Sequence, residues 1–256
     1  MRASYLTTSW DDGHSLDLRL AEMLARHGLP ATFYIPFRWA RPVLPPAAIR
    51  DLASRFEIGA HTMNHPDLRH TAPDRARSEI VDSKHYIEDI TGVSCAMFAP
   101  PGGSYRPAHL AMVRDAGYRG MRTVELMNTG HPTRVSGIAV LLTSLQMFPH
   151  QPAAYIRNAA KRLHPGNLLT YWSHAHRRTL ERDAEALVTR VVQSGGVFHL
   201  WGHSWEIEER GLWPALETIF AILRASLCRP LSNGALSEET LKHEPFAGTV
   251  PHPDLS

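Results

Sequence analysis

Cysteine is almost missing from this chain: only Cys95 and Cys228 occur, and neither has CxxC or zinc-finger spacing around it. That excludes a disulfide scaffold and a thiolate metal site, and it predicts two buried thiols. Long apolar runs are missing as well. No stretch approaches the roughly 20 uninterrupted apolar residues that span a bilayer, and the opening residues, Met1 to Trp10, hold no apolar run of signal-peptide length. The expectation is a cytoplasmic chain with no membrane partner. Nor does either charge dominate, with 27 Lys and Arg against 25 Asp and Glu spread along the sequence. No cationic stripe is offered to a phosphate backbone, so nucleic acid is not an expected partner. Internal repeats and low-complexity tracts are absent too. What is there, 43% hydrophobic and 20% charged residues over 256 positions, is the composition of one folded domain with a sizeable core.

The periodicity of the apolar residues alternates between strand and helix. A β-leaning stretch at 5–10 runs into the turn Asp11-Asp12-Gly13-His14. Leu16, Leu20, Met23 and Leu24 then predict a helix over 16–27, stopped by Gly28 and Pro30. The beat continues with strand 31–36, helix 46–56, strand 57–61, helix 72–91, strand 95–99 and helix 107–116. Between 124 and 152 the pattern weakens to one strand near 139–145. It returns as helices at 153–163 and 179–193, strand 197–201, helix 213–227 and strand 229–232. Residues 1–236 read as one catalytic domain and 237–256, with three prolines and little periodicity, as a loose C-terminal tail. Such alternation predicts parallel βαβ units, whose reactive groups gather at the C-terminal ends of the strands. Asp11-Asp12, His61 to His65 and Pro100 to Gly103 each follow a predicted strand, so they should share one rim.

Two of these clusters carry chemistry. Sixteen histidines say little by themselves. His61 and His65, four residues apart after a strand, suit one metal ion, although isolated pairs at this spacing are more often surface histidines in a loop. Two histidines and a carboxylate are a common ligand set for catalytic zinc. For Asp11-Asp12-Gly13 alone the plain reading is a capped turn. Yet adjacent carboxylates repel, and the repulsion is relieved when one completes a metal site and the other stays free to take a proton from an attacking water.

Ser9-Trp10-Asp11-Asp12-Gly13, His61-Thr62-Met63-Asn64-His65-Pro66 and Pro100-Pro101-Gly102-Gly103, in this order, resemble the motifs of the polysaccharide deacetylases, also called carbohydrate esterase family 4 or the nodulation-deacetylase homology domain. The resemblance covers roughly residues 5–235. It implies an α/β fold, a distorted (β/α) barrel with about seven parallel strands. It implies Asp11 as catalytic base, and Asp12, His61 and His65 as ligands of one divalent transition metal. Ligand type favours zinc over cobalt, nickel or manganese. The Gly102 N–H would help hold the oxyanion.

The family's third motif has an arginine before its two prolines that orients the base; here Ala99 stands there. Arg122, at another strand end, is the candidate replacement. The family's acid, a histidine that protonates the leaving group, maps to His203, with His174 as the alternative. Trp201, Trp205 and Tyr105 are candidate substrate-binding residues. The missing arginine makes the chain similar to a divergent branch, the deacetylase-like domains associated with gellan lyase.

The expected function is removal of an acyl group, foremost N-acetyl, from a saccharide or sugar conjugate. The alternatives are a deformylase or cyclic-amide hydrolase on the same metal site, and a degenerate domain that binds carbohydrate without turnover. Asp11 counts against the last, because pure binding needs no base. The oligomeric state is left open.

Overall fold

A computed structural model describes residues 3–151, 153, 157–158 and 179–242. Its strands are β1 (Ser4–Asp11), β2 (Thr32–Ile35), β3 (Glu57–Ala60), β4 (Met97–Phe98), β5 (Gly120–Arg122), β6 (Thr133–Val135), β7 (Ile138–Leu141), β8 (Leu145–Gln146), β9 (Gly196–Gly202) and β10 (Arg229–Pro230). Its helices are α1 (Asp17–His27), α2 (Pro46–Ala53), α3 (Pro73–Thr91), α4 (Pro107–Asp115), α5 (Leu180–Ser194), α6 (Ser204–Glu209), α7 (Trp213–Ala225) and α8 (Asn233–Lys242). The strands form one sheet in the order β6-β7-β5-β4-β3-β2-β1-β9-β8, with β10 also pairing β1. Every pair is parallel except β6 with β7. This is an α/β fold whose mostly parallel sheet curls into a half-barrel.

β1 shows how the alternation of side chains builds the two layers. Leu6 and Trp10 join the main apolar core, where the Trp10 ring meets Phe220 of α7 edge-on. Thr7, Ser9 and Asp11 point the other way, to hydrogen bonds with Asn233, His199 and Arg122. Period-two alternation therefore gives the sheet an apolar outer face and an inner face that carries polar groups. A smaller apolar cluster, including Tyr34, Met97, Leu141 and Leu236, fills the rest of the interior. On the outside, α1 buries Leu20 and Leu24 completely, each worth about 1.5–3 kcal/mol. The helix ends where Gly28 turns left-handed at φ 63°, and its N–H caps the last carbonyls.

The expected strands are present as β1 to β4, β7, β9 and β10; the short strands β5, β6 and β8, of two or three residues, join them and hold too few residues to display a period. One expectation needs correction. The supposed tail from 237 begins inside α8: Leu236 and Ser237 are buried, and the Glu57 carboxylate accepts a hydrogen bond from Gly234 N at 2.8 Å. Tertiary contacts thus order a segment whose own pattern is weak. Residues 243–256, and most of the helix expected over 153–163, lie outside the described residues. Both cysteines are buried and unpaired, and burial pushes the Cys95 thiol up to about 12.

Candidate active site

Two turns at the C-terminal ends of β1 and β3 build the centre of the site. The chain leaves β1 through Asp12 at φ 81° and Gly13 at φ 61°. A Cβ on Gly13 would come within 2.7 Å of Ile35 Cγ2, so glycine is required there. Beyond β3, Thr62 (φ 67°) and His65 (φ 53°) are also left-handed. Such a conformation is uncommon for any residue with a side chain and strained for a β-branched one.

The second turn is held from several sides. Thr62 Oγ1 donates to His61 O and accepts from His65 N at 3.1 Å. Buried Glu79 of α3 accepts from the backbone N–H groups of Met63 and Asn64 at 2.9 and 2.8 Å, and from Asn64 Nδ2 at 2.7 Å. Strained backbone fixed by so many bonds marks a place where geometry matters more than stability.

The two turns bring three donors together. Asp12 Oδ1 lies 3.2 Å from His65 Nε2 and 3.7 Å from His61 Nε2, and one ligand atom from each of the three residues falls within 4.8 Å of the others. Asp12 Oδ1 is buried and accepts no well-directed hydrogen bond among the described residues. Burial would raise its pKa, but His65, His203, His61 and the Trp205 hydrogen bond together hold Asp12 well below the usual carboxylate range. His61 Nδ1 donates to Ala99 O at 2.7 Å, which leaves the Nε2 lone pair facing Asp12. Burial also lowers its pKa to about 4, so the imidazole stays neutral. An orphaned carboxylate oxygen between two imidazole nitrogens is costly unless a cation shares it. These residues therefore fit a divalent transition metal.

Asp11 has a different environment. Fully buried Arg122, at the end of β5, donates through Nη2 to Asp11 Oδ1. Burial acts to raise the Asp11 pKa, but Arg122, with His61 and His203, outweighs it and keeps the carboxyl ionised. The rings of Tyr34 and Trp201 flank the guanidinium, each 5.0 Å from its carbon. Behind them His199 bonds Ser9 Oγ and Leu142 O, both at 2.9 Å. Burial brings His199 down to about 3, so it is neutral.

His203 follows β9, with Nε2 3.8 Å from Asp12 Oδ2 and Nδ1 bonded to Glu206 Oε2 at 2.5 Å. Burial works to lower its pKa, but Glu206, Asp12 and Asp11 raise it above the usual 6.5. Trp205 Nε1 donates to Asp12 Oδ2 at 3.0 Å. Its ring centroid lies 5.4 Å from that of His203 and 5.8 Å from that of Trp39.

The expected site residues thus fall into groups. Asp11, Asp12, His61, His65, Arg122, His203 and Trp205 meet around one point. Trp201 is buried against Arg122 and offers no open face to a sugar, which corrects its assignment to the substrate; on β9 it shares the inward parity of His199. Gly102 is exposed on the loop after β4 at φ 58°, and Tyr105 is half-buried against the main core. His174 lies outside the described residues.

Sequence reasoning missed Glu79, Glu206 and Trp39. Glu206 had a signal, an acid three residues after a candidate histidine on a helix. Glu79 had none, because an acid in the middle of α3 looks like a solvated face.

Residues 1–121 match the family model described as polysaccharide deacetylase. Among curated proteins, the uncharacterized protein YlxY of Bacillus subtilis is 31% identical over 108 residues, covering 42% of this chain and 33% of that one. A peptidoglycan-N-acetylglucosamine deacetylase of Bacillus cereus is 29% identical over 118 residues, covering 44% of this chain and 54% of that one. The chain thus spans a third to about half of the length of these relatives.

Solved structures agree on the fold. A structure described as a putative polysaccharide deacetylase from Mycobacterium smegmatis superposes with a TM-score of 0.70 at 16% identity, over 99% of this chain and 96% of that one. A pseudoenzyme of carbohydrate esterase family 4 from Bacillus anthracis gives 0.56 at 16% identity over 92% and 66%. A family 4 acetyl xylan esterase from Clostridium thermocellum, in complex with a cobalt ion, gives 0.55 at 17% identity over 91% and 89%. Residues 1–121, which hold both Asp11-Asp12 and the His61–His65 loop, are thus the part of this chain that is similar to the polysaccharide deacetylases.

Proposed function

We propose that the chain is a metal-dependent hydrolase that removes an acyl group, foremost N-acetyl, from a saccharide or sugar conjugate. The observation that carries this reading is the division between neighbouring carboxylates. Asp12 faces two imidazole nitrogens, whereas Asp11 is held off the cluster by a buried arginine. A site that only bound metal or sugar would have no use for the second arrangement.

Asp12, His61 and His65 would hold the cation, with zinc favoured by ligand type and cobalt the ion in the acetyl xylan esterase complex. When bound, such an ion lowers the pKa of water and polarises an acyl carbonyl. The residues around it then have separate tasks. Asp11, kept ionised by Arg122, accepts the proton of the attacking water. The Gly102 N–H donates to the oxygen that becomes negative as the carbonyl carbon turns tetrahedral. His203, protonated and steadied by Glu206, gives its proton to the amine as the C–N bond breaks and acetate departs. Trp205 and Trp39 stand beside this point as apolar walls.

The test is acetate release from a panel of chitooligosaccharides, acetylated xylan fragments and peptidoglycan fragments, with and without a chelator. N-formyl and cyclic-amide compounds serve as the competing substrates. Chelator-sensitive acetate release supports the proposal; hydrolysis of the formyl or cyclic amides alone would replace the acetyl group in it. A second reading, carbohydrate binding without turnover, is favoured by Ala99 in place of the motif arginine and by the fold shared with a family pseudoenzyme. Sugar binding with no release of acetate, formate or ring-opened product would select it.

A further inference from the structure

Arg122 is buried in an unusual way. It has no exposed surface, and of its guanidinium nitrogens Nη2 is bonded to Asp11 while buried Nε and Nη1 find no hydrogen-bond acceptor among the described residues. A cation removed from water with two donors unmatched is expensive. What replaces the missing acceptors is a pair of ring faces, Tyr34 and Trp201, each 5.0 Å from the guanidinium carbon. A planar guanidinium stacks on ring faces as an ammonium does not, and the attraction strengthens where water is excluded.

Tyr34 is itself fixed from below. Asn233 Nδ2 donates to its hydroxyl at 2.9 Å, Thr7 Oγ1 donates to Asn233 Oδ1 at 2.7 Å, and Asn233 N donates to Thr32 Oγ1 at 2.9 Å. Thr32 opens β2 and Asn233 opens α8, so this anchor sits toward the N-terminal ends of the strands. The metal cluster sits at the other end, after β1 and β3. A continuous line of contacts, Asn233 to Tyr34 to Arg122 to Asp11, therefore crosses the interior of the half-barrel.

We propose that Tyr34, Trp201 and Asn233 are positioning residues of the hydrolytic site: they form a clamp, seated on α8, that aims Arg122 at Asp11 in place of an arginine at position 99. The inference rests on the reading of Asp11 as the base. It makes a helix at the far end of the barrel part of the catalytic apparatus.

Two readouts test it. Turnover of 4-methylumbelliferyl acetate by the cobalt-loaded protein is the first. Tyr34→Phe keeps the ring and cuts the bond to Asn233, and should lower kcat about tenfold; Tyr34→Leu removes the ring and should lower it about a hundredfold, the range typical of outer-shell residues. In both, KM should stay within about twofold and cobalt content should not change, since the Tyr34 side chain is not one of the ligand groups and its backbone O, which accepts from Asp12 N at 3.0 Å, is kept in either variant. Tyr118→Phe is the control. It deletes another buried hydroxyl, which donates to Ile80 O at 3.0 Å and so bonds no residue of this line of contacts, and should leave kcat unchanged.

The second readout is the side-chain N–H resonance of Arg122 in the zinc-loaded protein, assigned by its loss in Arg122→Lys. Two flanking rings should shift it upfield. Asn233→Ala should move it, although Asn233 does not touch Arg122. An unmoved resonance overturns the proposal, as does full kcat in Tyr34→Leu, or an equal loss in Tyr118→Phe. If the wild type hydrolyses nothing, the hydrolase reading fails, and the resonance alone decides whether the clamp exists.

Discussion

Asp12, His61 and His65 come from turns on strands β1 and β3, separated in the sheet only by β2. The groups we propose for proton transfer have a wider origin: Asp11 from β1, Arg122 from β5, four strand pairings away, and His203 from the end of β9. The metal side is set by local backbone, with left-handed Asp12, Thr62 and His65 and a loop fastened to Glu79. The proton side is set by curvature, because Arg122 reaches Asp11 only when the sheet curls. Metal binding should therefore survive changes that abolish proton transfer, and each side should respond to its own variants.

The largest expected effect breaks the metal side outright. His61→Ala with His65→Ala should remove metal from the purified protein, as measured by elemental analysis, and reduce acetate release by more than about a thousandfold, since two of three protein ligands are lost. A smaller effect on the same side sharpens the local picture. Glu79→Gln keeps an oxygen for the loop N–H groups but weakens a charge-assisted set, so cobalt affinity by calorimetry should fall about 10–100-fold, with Asp11 and Arg122 untouched.

On the proton side the expected change is in pH dependence. His203 must carry its proton to act as an acid, and Glu206 contributes to holding that proton above the usual pH. The active form is therefore present at low pH and lost as pH rises through the raised pKa. Glu206→Gln should move the alkaline limb of kcat to lower pH and leave metal content unchanged.

The smallest effect concerns Asp17, fully buried on α1, where Ser204 Oγ donates to one oxygen and the other has no partner among the described residues. Burial raises its pKa well above 3.8. The folded state thus keeps a proton that the unfolded chain releases, and stability falls as pH rises from the ordinary carboxylate range toward the folded value. Asp17→Asn retains the acceptor and has no proton to lose. A plot of Tm against pH should be flatter for it over that interval, by a few degrees at most.

The same contrast decides what the amino-acid sequence reveals. Asp11-Asp12 and His61–His65 are legible because a metal cluster built on local turns leaves a short spacing after a strand. Helices α1 and α3 are legible because each has several turns of apolar period and a left-handed glycine stop, Gly28 and Gly92. Arg122 is legible only as a candidate, since which side chain it meets depends on four intervening strand pairings. Trp201 is misread as a sugar platform because its neighbours across the interior, not its place in β9, decide that it covers a guanidinium. The segment after 236 is misread because α8 owes its order to Glu57, Thr7 and Thr32, residues distant in sequence.

The claim at the centre of this account is that two adjacent carboxylates have separate duties, and cobalt titration followed by visible absorbance measures it directly. Asp11→Asn should take up one equivalent of cobalt with the wild-type spectrum while losing acetate release about 10²–10⁴-fold, and Asp12→Asn should fail to develop the spectrum. If Asp11→Asn loses cobalt as Asp12→Asn does, or if Asp12→Asn retains it, the division of labour is wrong.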